Sequence, residues 1–140
     1  SNFPNHLKIF NTSYKSFKDK YIIGNGIKSF RYKCKNYLNQ KNTLCSTHPH
    51  NYHLEVLNDT GLFGFIFLSI FVFLLIWKNL KLIFNRNLTY DHKILVVLLI
   101  LNFLIEVFPF KSTGSFFTTW NGSLLWLSIA LLNFKNKNNI

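Results

Sequence analysis

The stretch Gly61–Trp77, GLFGFIFLSIFVFLLIW, runs for seventeen residues without a charge. A helix that crosses the hydrocarbon core of a bilayer needs about twenty predominantly apolar residues and no fewer than about seventeen. Leu57 and the residues after it supply the remainder, so a span over 57–77 is expected. Two further apolar runs follow. Ile94–Phe110 is interrupted only by Glu106 and ended by Pro109, and Phe116–Phe134 is uncharged but softened by Thr118, Thr119, Asn121, Gly122 and Ser123. The competing reading is a set of core helices in a soluble protein. Three such runs, with barely an amphipathic stripe among them, favour the membrane. The expected fold class is mainly α: a fragment of a polytopic membrane protein, with an extracytoplasmic helical and loop segment followed by about three transmembrane helices.

Outward from that stretch, basic residues near the span ends set the orientation. The segment 78–93 holds Lys78, Lys81, Arg86 and Lys93 against Asp91, and the tail 135–140 adds Lys135 and Lys137. The loop 111–116 has Lys111 alone. The expected order is therefore 1–56 outside, a span at 57–77, 78–93 in the cytoplasm, and a span at 94–110. The loop 111–116 is then outside, with a third span at 117–134 and a cytoplasmic tail at 135–140. The many lysines of 1–56 do not oppose this, because long segments count little and Lys41 is the one basic residue in the last twenty before the span.

The 140 residues carry a net charge of +11, with 49% hydrophobic and 15% charged side chains. A basic balance usually points to nucleic acid or an anionic surface. Here the sequence is crowded with Lys, Asn, Ile and Phe, as AT-rich coding produces whatever the function. Nucleic acid is set aside, and an anionic lipid-linked substrate or the membrane lipids themselves are the better partners. The chain has no methionine, opens Ser-Asn-Phe-Pro and has no signal peptide of the usual form. It is accordingly read as the C-terminal piece of a larger protein whose earlier spans lie elsewhere.

Within 1–56, Leu7, Phe10, Tyr14 and Phe17 recur three or four apart, which predicts a helix over 6–20 with these residues on one face. Gly24-Asn25-Gly26 reads as a turn. As a nucleotide fingerprint it lacks a third glycine and a βαβ setting; as a turn it would bring Lys28 and Arg31 to a surface. A short helix or irregular stretch over 27–32 and a polar loop over 35–47 follow. Proline suits the first helical position, so Pro49 is expected to open a helix that runs to about Leu57 and breaks at Asp59-Thr60-Gly61. That register puts His50, His53, Leu54 and Leu57 on one face.

Three histidines, His48, His50 and His53, fall within six residues just before the first span. A histidine is the natural general base near neutral pH; polar residues at a membrane interface are the plainer reading. Cys34 and Cys45 upstream allow a metal site, but their spacing matches no standard zinc pattern. Outside the cytoplasm two cysteines eleven apart more naturally form a disulfide, with unpaired thiols the other alternative. Glu106 lies inside a run where a carboxylate is costly and tends to be functional or paired, yet close enough to Pro109 to sit at the outer interface.

The string GNGIKSFRYKC, a polar gap, and then CSTHPHNYHLEVLNDTGLFG leading into a span resembles the O-antigen ligase family, whose members share a domain with the O-antigen polymerases. By motif the resemblance covers residues 6–77, and the later spans agree by topology. The His-Pro-His-Asn element is its more specific part. The resemblance implies a polytopic enzyme of the bacterial inner membrane with its site on the periplasmic side. Such an enzyme takes a glycan from undecaprenyl pyrophosphate and passes it to the lipid A core (ligase) or to another lipid-linked repeat (polymerase), using no cofactor and no metal. It also implies His50 as the catalytic residue and Arg31 as the pyrophosphate holder. Lys28 can add point charge; His48 is a second candidate base, and Asn51 an orienting or helix-opening residue. The chemistry of these side chains agrees, since an imidazole can accept a proton and a guanidinium can grip phosphate oxygens in two places. From another class, a non-catalytic membrane subunit or transporter component would leave His50 and Arg31 dispensable.

Overall fold

The computed structural model describes residues 4–84, 86, 89–118, 122, 123 and 125–131. These are mainly helical and contain no strand. The order is α1 (Asn5–Asp19), α2 (Phe30–Lys33) running into a 3-10 turn (Cys34–Tyr37), α3 (Tyr52–Ile83) and α4 (Tyr90–Glu106), with residues 122, 123 and 125–131 also helical. The rest of the expected third span and the tail 135–140 lie outside the described residues.

Among the described helices, α3 alone is long and apolar enough to cross a membrane, with a mean hydropathy of 2.4 over its best stretch. Many of the large side chains along its apolar stretch face outward. Phe63 is 76% and Phe67 72% exposed, a contiguous apolar surface far larger than a water-facing helix tolerates. α3 continues past Trp77 to Ile83, and α4 begins at Tyr90, so both helices extend into the region expected as the 78–93 loop. One core forms where Leu75 of α3 meets Val96, Ile100 and Phe103 of α4 and Leu125 and Ile129. Asn102 adds a 2.8 Å hydrogen bond to Ser128.

The N-terminal segment packs on the first turns of α3. Its small core is Ile9, Phe30 and Cys34, with Leu44 and Cys45 against it. The predicted helix over 6–20 is present as α1, but its buried residues are Ile9, Thr12, Ser13 and Ser16. Leu7 and Tyr14, expected to share one face with Phe10 and Phe17, are 44% and 49% exposed. Small hydroxyl side chains let two backbones approach closely and find partners inside the contact. The Ser13 hydroxyl faces the Leu54 carbonyl at 3.4 Å, and the Thr12 hydroxyl bonds the Lys8 carbonyl at 2.8 Å while accepting the Leu44 N–H at 3.0 Å.

α3 is broken at Gly61, whose φ of 67° and ψ of −168° belong to a region only glycine enters readily. An uninterrupted helix would join the Leu62 and Phe63 N–H groups to the Asn58 and Asp59 carbonyls. Instead Leu62 and Phe63 donate to the Tyr21 and Ile22 carbonyls at 2.7 and 3.1 Å, and Asn58 and Asp59 accept from Asn25 and Gly26 at 2.8 and 3.0 Å. Residues 21–26 are thus spliced into the helical ladder, and all four groups remain paired. The Gly24-Asn25-Gly26 turn is a structural joint that fixes the N-terminal segment at the foot of the apolar stretch.

Candidate functional site

The His-Pro-His-Asn element does not open the helix as its proline suggests. Asn51 is extended (φ −155°, ψ 124°), and its side chain accepts the Leu54 N–H, so the helix begins at Tyr52 with Asn51 as its cap. The asparagine side chain supplies an acceptor for a first-turn N–H, which a proline ring cannot. His50 therefore lies outside the helix and does not share a face with His53, Leu54 and Leu57. Its φ of 57° places it in the left-handed region, uncommon for a residue with a side chain and shared here with Lys28 and Asn42. Its carbonyl accepts the Thr113 N–H at 2.8 Å, which holds this turn against the loop after α4.

That turn assembles a histidine cluster. The rings of His48 and His50 lie 4.0 Å apart between centroids, and His6, from the first turn of α1, meets His50 edge-on at 5.7 Å. His50 Nε2 is 3.0 Å from the Ser46 hydroxyl, and His48 Nδ1 is 3.0 Å from the Thr47 hydroxyl. His48 Nε2 is buried with no hydrogen-bond partner among the described residues. Burial, then the neighbouring His50 and more weakly Arg31, hold His48 below the ordinary 6.5; the Thr113 backbone pulls weakly the other way. Burial and His6 hold His50 down in the same sense, again against Thr113. Both imidazoles are accordingly kept in the neutral form that can accept a proton.

Arg31 lies within electrostatic reach of His48. It is exposed on α2, because Phe30, 1% exposed, is the residue that anchors this helix in the core. Cys34 at the end of α2 and Cys45 are joined in a disulfide. The bridge ties the arginine helix to the strand of chain that carries Ser46, His48 and His50. Lys28 sits apart. Its backbone is also left-handed, with φ 58°, and its N–H donates to the Asp59 carboxylate at 2.5 Å. Its ammonium is exposed and within reach of Glu55 rather than of the histidines.

The loop after α4 closes the other side of the site. Asn51 donates to the Pro109 carbonyl at 2.6 Å, and Glu55 accepts the Ser115 hydroxyl at 2.5 Å and the Phe116 N–H at 2.6 Å. His53 Nε2 faces the Val107 carbonyl at 2.7 Å, which turns this third histidine away from the cluster. Glu106 pairs with Lys111 at 3.1 Å, an ordinary ion pair at the end of α4. Among the described residues no group of three His, Cys, Asp or Glu side chains is arranged to hold a metal ion. An apolar groove of about 320 Å³ opens beside Tyr52 and His53 and runs between α3, α4 and the stretch 125–131, past Phe65, Val72 and Trp126.

His6, Ser46, Thr113 and Glu55 were not singled out as site residues by sequence. His6 and Thr113 lie 44 and 63 positions from His50 and carry no local signal that could have marked them. Comparison with family models, curated proteins and solved structures finds no match for the chain.

Proposed function

We propose that this chain is part of a glycosyltransferase of the bacterial inner membrane, with α3 as one span and the runs 94–110 and 117–134 as two more. It transfers a glycan from undecaprenyl pyrophosphate to an acceptor hydroxyl on the periplasmic face, the lipid A core, as in the O-antigen ligases it resembles. The observation that carries this reading is His50: kept neutral, set in a left-handed turn just before α3, and beside His48, which Arg31 reaches.

His50 takes the proton from the acceptor hydroxyl as its oxygen attacks the anomeric carbon of the donor sugar. The bond from that carbon to the pyrophosphate oxygen breaks, and undecaprenyl pyrophosphate leaves with the electron pair. Arg31, with its planar fork, stabilises the charge that develops on the leaving group, and Lys28, which sits apart from the histidines, adds at most a longer-range point charge. The groove beside His53 offers the lipid chain of the donor an apolar bed close to this chemistry.

The test is complementation of a bacterium lacking its own ligase by the full-length gene and by its His50→Ala and Arg31→Ala variants, with lipopolysaccharide read on a gel beside an expression check. Restoration by the wild type and loss with His50→Ala at equal expression would support the reading. Equal restoration by His50→Ala would remove His50 as the base and turn attention to His48.

A further inference from the structure

We infer that the segment Lys20–Lys28 is a membrane-seating wedge whose partner is the anionic phospholipid interface. The inference rests on α3 entering a bilayer and is independent of glycan transfer.

The segment reads Lys-Tyr-Ile-Ile-Gly-Asn-Gly-Ile-Lys. Its four large apolar side chains point away from the protein: Tyr21 is 52%, Ile22 57%, Ile23 72% and Ile27 64% exposed. Four such side chains in one short turn, facing water, would be a costly surface with nothing gained. Their position gives them another medium. The carbonyls of Tyr21 and Ile22 accept the N–H groups of Leu62 and Phe63, the first residues after the α3 break. The turn is therefore locked, backbone to backbone, at the level where the apolar stretch begins. Phe63, Ile66 and Phe67 of that stretch are themselves 76%, 52% and 72% exposed. Isoleucines at the turn and phenylalanines of α3 thus occupy adjoining depths, and a bilayer that takes the second set reaches the first.

The charges fit the same placement. Lys20 and Lys28 bracket the apolar side chains and are exposed, and Lys18, also exposed, lies two residues before Lys20 in the last turn of α1. Lysines beside a shallow apolar surface reach anionic headgroups while their stems cover the acyl boundary. The turn cannot swing away to expose or hide this surface, because Gly24 is packed against the Asp59 carbonyl and Gly61 against the Ile22 carbonyl. The consequence for the site is positional: Arg31, three residues beyond Lys28, is held near the level of lipid phosphates.

The experiment places a nitroxide at single introduced cysteines, Ile23→Cys and Ile27→Cys, in the full chain reconstituted in vesicles of phosphatidylethanolamine and phosphatidylglycerol. The Cys34–Cys45 disulfide is left oxidised, and Asn39→Cys, on an exposed part of the loop, serves as the aqueous reference. Relaxation by oxygen, which partitions into lipid, is compared with relaxation by a water-soluble nickel chelate. At 23 and 27 oxygen should outweigh the chelate, with a ratio at least several-fold above that at 39. A label more accessible to the chelate than to oxygen would overturn the inference, as the turn would face water. A label shielded from both would also overturn it, as protein would then cover the turn. Lys20→Gln with Lys28→Gln should lower the oxygen-to-chelate ratio at 23, and an unchanged ratio would remove the role given to the lysines. Should either cysteine variant fail to fold, Ile22→Cys reads the same surface.

Discussion

Gly24 and Gly61 interlock across the break in α3: a side chain on either would overlap the backbone of the other, with Gly24 Cβ falling 2.5 Å from the Gly61 nitrogen and Gly61 Cβ 2.5 Å from the Gly24 nitrogen. Both also carry positive φ, 75° and 67°. Backbone strain alone makes an alanine at either site cost roughly 1–3 kcal/mol, and the overlap with main-chain atoms cannot be relieved by a rotamer change. Gly24→Ala and Gly61→Ala should each lower the thermal midpoint in detergent and weaken protection of the Leu62 and Phe63 amides from hydrogen exchange. Gly26, whose added Cβ would meet nothing within 4 Å, separates the two causes, since Gly26→Ala retains the strain of φ 101° without the collision. It should be the mildest of the three. Equal effects at all three positions would mean that the interlock contributes nothing beyond φ.

The Cys34–Cys45 bridge closes a short loop that contains no catalytic candidate but joins α2 to the chain entering the histidine cluster. Constraining a loop of this length in the unfolded state contributes about 3 kcal/mol on the chain-entropy account. Paired Cys34→Ser and Cys45→Ser substitutions should therefore lower stability by about 2–4 kcal/mol. They should also loosen Arg31 relative to His48. Measured by the midpoint of chemical unfolding with and without reductant, the wild type should shift and the double variant should not. A reductant-insensitive wild type would show that the bridge is not closed in the protein as isolated.

How far this was legible in the sequence divides by the range of the contact. The apolar stretch 61–77 announces α3 because hydropathy is a sum over neighbours in the chain. The helix α1 was legible too, but not its packing face. Amphipathic reasoning assumes water outside and an apolar interior, whereas α1 buries Ser13 against Leu54 of α3, Thr12 against Leu44 and Ser16 against Asn25, and leaves Leu7 and Tyr14 outward. The start of α3 was missed by three residues because Pro49 and Asn51 are both good openings; the bond Asn51 accepts from the Leu54 N–H and those it donates to the Pro109 and Lys111 carbonyls decide between them. Pro109 and Lys111 are distant from Asn51 in sequence, as are His6 and Thr113 from His50. A cluster built from three separate segments leaves no pattern that a window could read.

The lowered proton affinity of His48 and His50 makes stability depend on pH with a definite sign. Folded, both rings bind protons less readily than in the unfolded chain, where the ordinary value near 6.5 applies. The unfolded state then holds more protons as pH falls, so this contribution is complete above 6.5 and is lost on acidification below it. The thermal midpoint should drop between pH 7.5 and pH 5.5, and His48→Gln or His50→Gln should flatten that drop. In histidine carbon-labelled protein, the His50 resonance should titrate below 6.5 and move upward in His6→Gln. A His50 midpoint unaffected by His6→Gln would show that the edge-on neighbour does not act on it.

Arg31 and Lys28 are distinguishable, because one acts by shape and the other by charge alone. Arg31 stands near His48 on a helix pinned by Phe30, while the Lys28 backbone is committed to Asp59 and its side chain is free of the cluster. If Arg31 grips two oxygens of a pyrophosphate, Arg31→Lys keeps the charge and loses the fork. Transfer activity should then fall at least about tenfold, the size of one charge-assisted hydrogen bond. The same variant should leave the His48 titration nearly in place, whereas Arg31→Gln should raise it by removing the cation. Lys28→Gln should reduce transfer less than Arg31→Lys and leave the His48 titration unmoved. The decisive comparison is the donor dependence of the rate. A higher donor requirement in Arg31→Lys with a similar limiting rate places the guanidinium on the ground-state pyrophosphate; a lower limiting rate at unchanged donor requirement places it on the leaving group as the bond breaks. Full activity in Arg31→Lys would mean that the fork is not used.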